Sequence, residues 1–361
     1  MKFFSCKALA ALVATAATVA PLAAPAPALA ADAALNAAQV AGDTPLATVN
    51  RGALPMDPAP VWRKAATEHA DVVQELWAHS PSMNRDVPLL LIPAKDQSQP
   101  RPILYLLNGG DGGEGSLNWL NRTDLVDFYR DKNVNVVMPM AGKYSYYTDW
   151  VTEIPHLGGK QNWETFLTKE LPGPLEKTLN ASNQRAIMGM SMSGTSALLL
   201  PEHNPGFYNS AVSLSGCAET DGGVGNTGMR LTMNRGRVTP EQMWGPMGTA
   251  NWYNHDALIN AEKLRGTELY IAAASGTAGK WDMPDSPYVK NPLSMAVIIA
   301  EGGIIEGASS KCTHDLQAKL GGLGVPAHFE FNNTGTHQWG YWMDEMHKSW
   351  PTIAHSFGME P

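Results

Sequence analysis

The fold is decided by the stretch Ala186-Ile187-Met188-Gly189-Met190-Ser191-Met192-Ser193-Gly194, in which an apolar strand runs into a Gly-Ser turn and an apolar helix follows. Such a sharp turn needs small residues two positions before and two positions after the central serine, because the two backbones approach closely there. Gly189 and Ser193 occupy those positions, although the general pattern has glycine at the second. The stretch predicts a strand–turn–helix that presents Ser191 as a nucleophile, with Ser193 as the rival. The same letters would also suit a serine that caps a helix.

Alternating strand and helix patterns surround this turn. A strand that precedes a helix again and again indicates a mostly parallel central sheet with helices on both faces, which together with the serine turn predicts an α/β-hydrolase fold. The segment 218–265 has no clean period and is expected to be a helical or irregular insertion at the carboxyl ends of the strands, where ligands bind. Strands are predicted at 72–78, 87–92, 103–107, 134–138, 186–188, 211–214, 269–274 and 327–331, and helices at 163–179 and 341–356.

The first thirty residues have the pattern of a secretory signal peptide. Lys2 and Lys7 precede an apolar run over 8–24, and a small-residue site ends at Ala30. A membrane anchor is the alternative, but the run is short for a spanning helix. We therefore expect three parts: a signal peptide over 1–30 that is cleaved near Ala30, an N-terminal extension over 31–60, and a hydrolase domain over 61–361. No later stretch shows the length and apolarity of a transmembrane helix, so a secreted or cell-envelope protein is predicted.

The charge balance and the cysteine count limit the possible binding partners and disulfide bonds. The 361 residues carry 26 basic and 34 acidic side chains, and removal of the leader leaves 24 basic against 34 acidic, a net charge of −10. This balance disfavours electrostatic binding of nucleic acid or anionic lipid. Of three cysteines, Cys6 lies in the leader, so Cys217 and Cys312 remain as one candidate disulfide, the alternative being two buried thiols. No metal or organic cofactor is implied, and a monomer is expected.

A nucleophilic serine needs donors for the oxyanion that forms on its substrate. The amide of the residue after the nucleophile, Met192, is one standard donor. A second is expected from the glycine-rich loop Asn108-Gly109-Gly110-Asp111-Gly112-Gly113, which follows an apolar strand. We assign it to the amide of Gly110, the alternative being a mobile loop that binds nothing.

The base and the acid should follow the serine in the order acid, then histidine. His337 is favoured as the base because it lies in a polar loop between the predicted last strand and last helix. The residues alone leave the acid open among Asp282, Asp285, Glu301 and Glu306.

Several segments together resemble the mycolyltransferases of the antigen 85 type, which are secreted α/β-hydrolase acyltransferases of mycolic-acid-bearing bacteria. The resemblance rests on the serine turn, on Ser80-Pro81-Ser82-Met83-Asn84-Arg85-Asp86, on Trp163-Glu164-Thr165-Phe166-Leu167-Thr168 and on Gly335-Thr336-His337. These segments run in the family's order from about residue 72 to 350. The paired cysteines and the N-terminal extension resemble the subset that handles corynomycolate-type acyl chains.

The resemblance implies an activity and an acid. The family's glutamate stands before a glycine about thirty residues ahead of the histidine, which selects Glu306, with Glu301 as the alternative. The implied reaction moves a mycolyl group from trehalose monomycolate, through an acyl-Ser191 intermediate, to a second trehalose monomycolate or to cell-wall arabinogalactan. A secreted carboxylesterase and a non-catalytic wall-binding protein are the alternative functions.

The sugar-binding positions depart from the family pattern. Asn108 stands where the family has an aspartate, Asp111 where it has an arginine, and Gly110 where it has a larger apolar residue. A backbone donor survives the last change. Asn108 and Trp339 are the candidates for holding the sugar.

Overall fold

A computed structural model describes residues 44–361 of the chain. The predicted signal peptide, its cleavage site, Cys6 and the first part of the predicted extension lie outside the described residues. Within them, nine strands form one sheet in the order β1-β2-β3-β5-β4-β6-β7-β8-β9. The strands are Thr48–Arg51 (β1), Gln74–Ser80 (β2), Arg85–Ile92 (β3), Arg101–Leu106 (β4), Asn135–Pro139 (β5), Ala181–Met190 (β6), Ser210–Leu214 (β7), Glu268–Ala274 (β8) and His328–Asn332 (β9).

The sheet has an antiparallel edge and a parallel body. β1, β2, β3 and β5 pair antiparallel in that order, and β5, β4, β6, β7, β8 and β9 pair parallel. All eight predicted strands are present, with β6 extended backwards to Ala181 through polar, partly exposed residues that gave no apolar pattern. The mostly parallel α/β-hydrolase architecture expected from the sequence is confirmed.

Helices cover both faces of this sheet. Most α-helices are short, and two π-helical turns, Phe166–Glu170 and Ile298–Gly302, extend the helices beside them. The α-helices are Val61–Glu68 (α1), Trp119–Arg122 (α2), Leu125–Tyr129 (α3), Trp163–Thr165 (α4), Pro172–Leu179 (α5), Met192–His203 (α6), Gly223–Arg235 (α7), Pro240–Trp244 (α8), Ala250–Asn254 (α9), Pro292–Val297 (α10), Gly303–Leu323 (α11) and Trp339–Ser356 (α12).

Side-chain alternation along the central strands divides the core into two layers. In β4, Ile103 and Tyr105 point into the layer that α6 and α11 cover, whereas Leu104 and Leu106 point into the layer that α1 and α12 cover. Both layers consist of buried apolar side chains, which explains why the parallel strands are continuous hydrophobic runs. The serine turn, at the carboxyl end of β6, is thereby held between two packed layers.

The insertion between β7 and β8 has the predicted helical and irregular character, since α7, α8, α9 and the 3-10 turn Ala261–Leu264 lie within it. The expected boundary at residue 60 is wrong. Thr48–Arg51 is a strand of the same sheet, paired with Leu76–His79 of β2, and Ala47 before it is buried. The mainly polar sequence of β1 has no apolar alternation, because an edge strand buries little of its surface.

The helical segment Pro292–Leu323 joins α10, a π-helical turn and α11, and has a window of mean hydropathy 1.3. By length and composition this segment is able to cross a membrane, contrary to the expectation that no such stretch follows the leader. In the fold, Leu316 and Leu320 of α11 are buried against the sheet, and Cys312 is bonded to Cys217. The second half of the segment is therefore part of the hydrolase core.

Candidate active site

Ser191 lies at the sharp turn between β6 and α6, in a backbone conformation that ordinary residues avoid. Its φ is 57° and its ψ is −121°, and its N–H donates to the carbonyl of Leu214 on the neighbouring strand at 2.9 Å. A Cβ at Gly189 would lie 2.1 Å from the carbonyl oxygen of Ser193, so only glycine fits there. The turn has the geometry predicted for a nucleophile elbow, with the N-terminus of α6 behind the serine.

Ser193, the rival nucleophile, is fully buried and braces this turn. Its hydroxyl accepts the N–H of Met190 at 2.9 Å and lies 3.2 Å from the carbonyl oxygen of Leu107. These contacts tie the elbow to the end of β4. The serine that replaces the usual glycine is thus a structural side chain with no access to substrate.

Three side chains that are distant in sequence meet at the elbow. His337 Nε2 is 2.7 Å from Ser191 Oγ, and His337 Nδ1 is 2.8 Å from Glu306 Oε2. His337 follows β9, and its backbone N–H donates to the carbonyl of Gly302 at 3.2 Å. A serine, a histidine and a carboxylate in this relay can generate an alkoxide-like nucleophile.

Glu306 is the acid of this relay, and the structure separates it from the other three candidates. Glu306 is 1% exposed, whereas Glu301 and Asp285 are exposed. Asp282 is buried but accepts from Thr336 Oγ1 at 2.6 Å and from the hydroxyl of Tyr341 at 2.7 Å. Asp282 therefore anchors the loop that carries the histidine.

A family model described as "Putative esterase" matches residues 80–353. The diacylglycerol acyltransferase/mycolyltransferase Ag85A of Mycobacterium tuberculosis is 30% identical over 293 residues, which cover 80% of this chain and 82% of that protein. Among solved structures, MPT51 of Mycobacterium tuberculosis has a TM-score of 0.61 at 24% identity, covering 77% of this chain and 96% of that one. An S-formylglutathione hydrolase from Agrobacterium tumefaciens has a TM-score of 0.57 at 14% identity, covering 78% and 94%.

The chain belongs to the antigen 85-type mycolyltransferase family. It is accordingly an enzyme of the acyltransferase and esterase class, and the resemblance seen in the sequence is confirmed. The likeness to the hydrolase structures, at low identity, adds the common α/β-hydrolase fold.

One segment of the family resemblance, residues 80–86, has a structural role. The hydroxyl of Ser80 donates to Glu170 Oε2 at 2.5 Å, and the amide of Ser82 donates to Glu170 Oε1 at 2.8 Å. Arg85 donates to the backbone carbonyls of Leu157 and Lys160. The turn between β2 and β3 is therefore clamped to the π-helical turn that contains Glu170.

The two proposed oxyanion donors come from chain segments that contact each other. Met192 is the first residue of α6, where amides have no acceptor within the helix. The loop that contains Gly110 lies beside the elbow. The amide of Leu107, before this loop, donates to the backbone carbonyl of Met188 at 2.8 Å. Gly109 packs closely on Met190, since a Cβ at Gly109 would lie 2.7 Å from Met190 Sδ. Within the same loop Asp111 accepts from the amide of Gly113 at 2.9 Å, and burial raises the pKa of the Asp111 carboxyl.

Asn108 cannot hold a sugar, which corrects the sequence-based assignment. Its side chain is 0% exposed, and its amide nitrogen donates to the carbonyl of Pro139 at 3.1 Å. Its amide oxygen accepts the N–H of Trp119 at 3.2 Å. Asn108 instead fixes the start of the glycine-rich loop. The sequence could not show this, since an asparagine after a strand suits a turn and a ligand contact equally.

Trp339 is also too buried for the sugar contact proposed for it. It is 5% exposed, and its ring packs edge-to-face against Trp119 at 5.6 Å and Trp342 at 5.3 Å between ring centroids. Trp342 in turn packs edge-to-face against His337 at 4.8 Å. The three tryptophan rings therefore pack together on one side of the His337 ring.

Sequence reasoning missed the groups that hold Glu306. Its Oε1 accepts the hydroxyl of Ser215 at 2.8 Å and the amide of Ala274 at 2.7 Å. The hydroxyl of Ser215 accepts Trp342 Nε1 at 3.0 Å. These contacts join β7, β8 and α12, and no local sequence signal marks them.

The predicted disulfide is present between Cys217 and Cys312, with Cα atoms 5.1 Å apart. Cys217 lies just after β7, close to Ser215, and Cys312 lies in the helix that carries Glu306. The bond thus ties together the two segments that meet at the acid.

Proposed function

We propose that this chain is a secreted acyltransferase that moves a mycolyl group, of the corynomycolate type, from trehalose monomycolate to a second acceptor. The acceptor is another trehalose monomycolate, which gives the dimycolate, or cell-wall arabinogalactan. The observation that carries the proposal is the relay from Ser191 through His337 to Glu306, with contacts of 2.7 and 2.8 Å. Its presence in a mycolyltransferase-family chain favours a working enzyme over a non-catalytic binding protein.

In the first half-reaction Ser191 Oγ attacks the ester carbonyl of the donor while its proton passes to His337 Nε2. Glu306 accepts the Nδ1–H and stabilises the imidazolium that forms. The amides of Met192 and Gly110 are the proposed donors to the oxyanion of the tetrahedral intermediate. The bond from the carbonyl carbon to the sugar oxygen then breaks, His337 returns the proton to that oxygen, and trehalose leaves the mycolyl-serine.

In the second half-reaction a sugar hydroxyl attacks the mycolyl-serine. His337 takes the hydroxyl proton, the new ester bond forms, and the bond to Ser191 Oγ breaks as the serine regains its proton. Water competes for the same intermediate at high concentration. Transfer therefore requires a sugar that is held in position beside the acyl group.

An exposed apolar segment beside the acid supports a lipid donor over a small soluble ester. The described side chains of residues 292–305 include none that is buried, and the segment leads directly into Glu306. Leu293 and Ile304 are both 76% exposed, and Glu301 is the one charged residue in this stretch. An apolar surface of this kind next to an active site suits contact with acyl chains.

The proposal predicts that Ser191→Ala abolishes transfer. The variant lacks the oxygen that forms the acyl-enzyme, so dimycolate formation from purified trehalose monomycolate should fall at least about 1,000-fold. Ser98→Ala is the matched control, because Ser98 is an exposed serine far from Ser191 in the sequence. This variant should keep wild-type rates. Dimycolate and free mycolic acid are quantified separately by mass spectrometry.

The ratio of the two products separates the alternatives. Mainly dimycolate supports the transferase, and mainly free acid from the wild-type protein supports the carboxylesterase instead. Full transfer by a folded Ser191→Ala variant would contradict the serine mechanism.

A further inference from the structure

A second cluster of reactive side chains lies at the far end of the helix that begins after Ser191. Glu164 from α4, His203 at the end of α6 and His255 just after α9 line one cleft of about 610 Å³. One potential ligand atom from each of the three lies within 4.8 Å of the others. A helix rise of 1.5 Å per residue places His203 about 18 Å from Ser191, so this cluster is separate from the triad.

The hydrogen bonds of the two histidines define which ring nitrogens carry protons. His255 Nδ1 is 2.7 Å from the carbonyl oxygen of Asn251, and His203 Nε2 is 2.7 Å from the carbonyl oxygen of Asn254. A carbonyl only accepts, so both of these nitrogens are N–H donors. That leaves His255 Nε2 and His203 Nδ1 as the nitrogens that can bind a metal.

His203 Nδ1 faces a carboxylate oxygen, Glu164 Oε2, at 2.8 Å. Without a metal, a second proton on His203 Nδ1 makes this contact a hydrogen-bonded ion pair. A Zn²⁺ ion bound at this position replaces that proton. Histidines that donate their second N–H to a backbone carbonyl and turn the other nitrogen to a carboxylate have the outer hydrogen bonds found around protein-bound metals.

Glu202 provides an independent observation in the same cleft. Its side chain is 0% exposed, and neither carboxylate oxygen has a hydrogen-bond partner among the described residues. The ammonium of Lys263 is 3.6 Å from Glu202 Oε1, beyond hydrogen-bonding distance. Lys263 thus supplies an ion pair without a hydrogen bond, and a bound cation would place further positive charge beside this buried carboxylate.

We propose that Glu164, His203 and His255 form a zinc site, with water at the fourth position and Glu202 balancing the charge. Two imidazole nitrogens and one carboxylate oxygen are ligands that suit Zn²⁺, with bonds of about 2.0–2.2 Å. Ligand atoms in such a tetrahedron are about 3.4 Å apart. His203 Nδ1 and Glu164 Oε2, at 2.8 Å, therefore separate slightly when the ion binds, and the three ligand atoms, which lie within 4.8 Å of one another, adjust to that spacing.

The site joins three chain segments. Glu164 lies before the π-helical turn, His203 ends α6, and His255 belongs to the insertion. A bound ion therefore ties the insertion to the helix behind the nucleophile. We therefore expect zinc binding to stabilise the fold and raise the melting temperature.

Isothermal titration of the full mature, tag-free protein with zinc chloride, after EDTA treatment and dialysis, tests the proposal. We expect one Zn²⁺ per chain with a Kd of about 10 µM or tighter. His255→Gln and Glu164→Gln should each weaken binding at least about tenfold. Glu202→Gln, which keeps all three ligands, should weaken it several-fold.

His347→Gln is the matched control, because His347 stacks on Phe128 as His255 stacks on Trp244, and its ring contacts the carboxylate of Asp124 outside the cluster. Its zinc binding should equal that of the wild type. Absence of saturable binding, or equal affinity in folded His255→Gln, would overturn the proposal and leave Glu164 and His203 as an ion pair.

Cobalt substitution covers the case in which a variant does not fold. Wild-type protein with one equivalent of Co²⁺ should show the intense visible absorption of a tetrahedral ion. The weak spectrum of octahedral Co²⁺ would count against the site.

Discussion

At the scale of single residues, the position of Glu306 depends on a serine that takes no part in the reaction itself. Ser215 donates to Glu306 Oε1 at 2.8 Å and accepts from Trp342 Nε1 at 3.0 Å. A hydrogen bond to a charged group contributes about 1.5–3 kcal/mol. Ser215 is thus a positioning residue, acting on His337 through the carboxylate.

We expect Ser215→Ala to lower kcat about tenfold with little change in KM, since about 1.4 kcal/mol corresponds to a factor of ten. Glu306 keeps the amide of Ala274 and therefore remains partly held. The measurement is steady-state hydrolysis of a short-chain chromogenic ester. The control is Ser210→Ala, which removes another buried hydroxyl at the opposite end of β7 and should leave kcat unchanged. A kcat equal to the wild type in folded Ser215→Ala would refute the positioning role.

At the scale of elements, β1 shows how a strand without an apolar pattern belongs to the sheet. Its residues pair with β2, and Arg51 donates to the side-chain oxygen of Gln74 at 2.7 Å. Just before β1, the amide of Ala47 donates to the backbone carbonyl of Glu170 at 3.0 Å. Removing β1 exposes the unpaired edge of β2, which is a template for aggregation.

A chain that begins at Val61 should therefore be about 2–4 kcal/mol less stable than a chain that begins at Thr44, which keeps β1. Urea unfolding followed by circular dichroism measures the difference, and light scattering detects aggregation. The chain from Thr44 is the control for truncation as such. Equal midpoints for the two chains would show that β1 is dispensable.

At the scale of the whole molecule, the disulfide connects parts that are 95 residues apart in sequence. A covalent link of this length lowers the entropy of the unfolded chain by an amount worth about 2–5 kcal/mol. It also holds α11, with Glu306, against the loop after β7.

The double variant Cys217→Ser with Cys312→Ser should unfold with about 2–5 kcal/mol less free energy than the oxidised wild type. Wild-type protein reduced with dithiothreitol should move in the same direction, which controls for the change of side chains. Chemical denaturation under oxidising and reducing conditions gives both values. An unchanged unfolding midpoint in the double variant would contradict this role.

The sequence by itself determined eight of the nine strands found in the described residues, and the elbow. Local burial produces the apolar runs in β4, β6 and β8, and local backbone geometry requires the small residues around Ser191. Both features are visible in neighbouring residues of the sequence. The loop that holds His337 was identified for the same reason, by its place between a strand and a helix. The family resemblance then selected Glu306.

Only the tertiary structure decided what distant side chains do. It separated Glu306 from Asp282, placed β1 in the sheet and turned Asn108 inward to Pro139. The physical reason is that these outcomes depend on contacts through space: 31 residues separate Glu306 from His337 and 146 separate His337 from Ser191. Hydrophobic periodicity carries no information about which polar groups meet across such intervals.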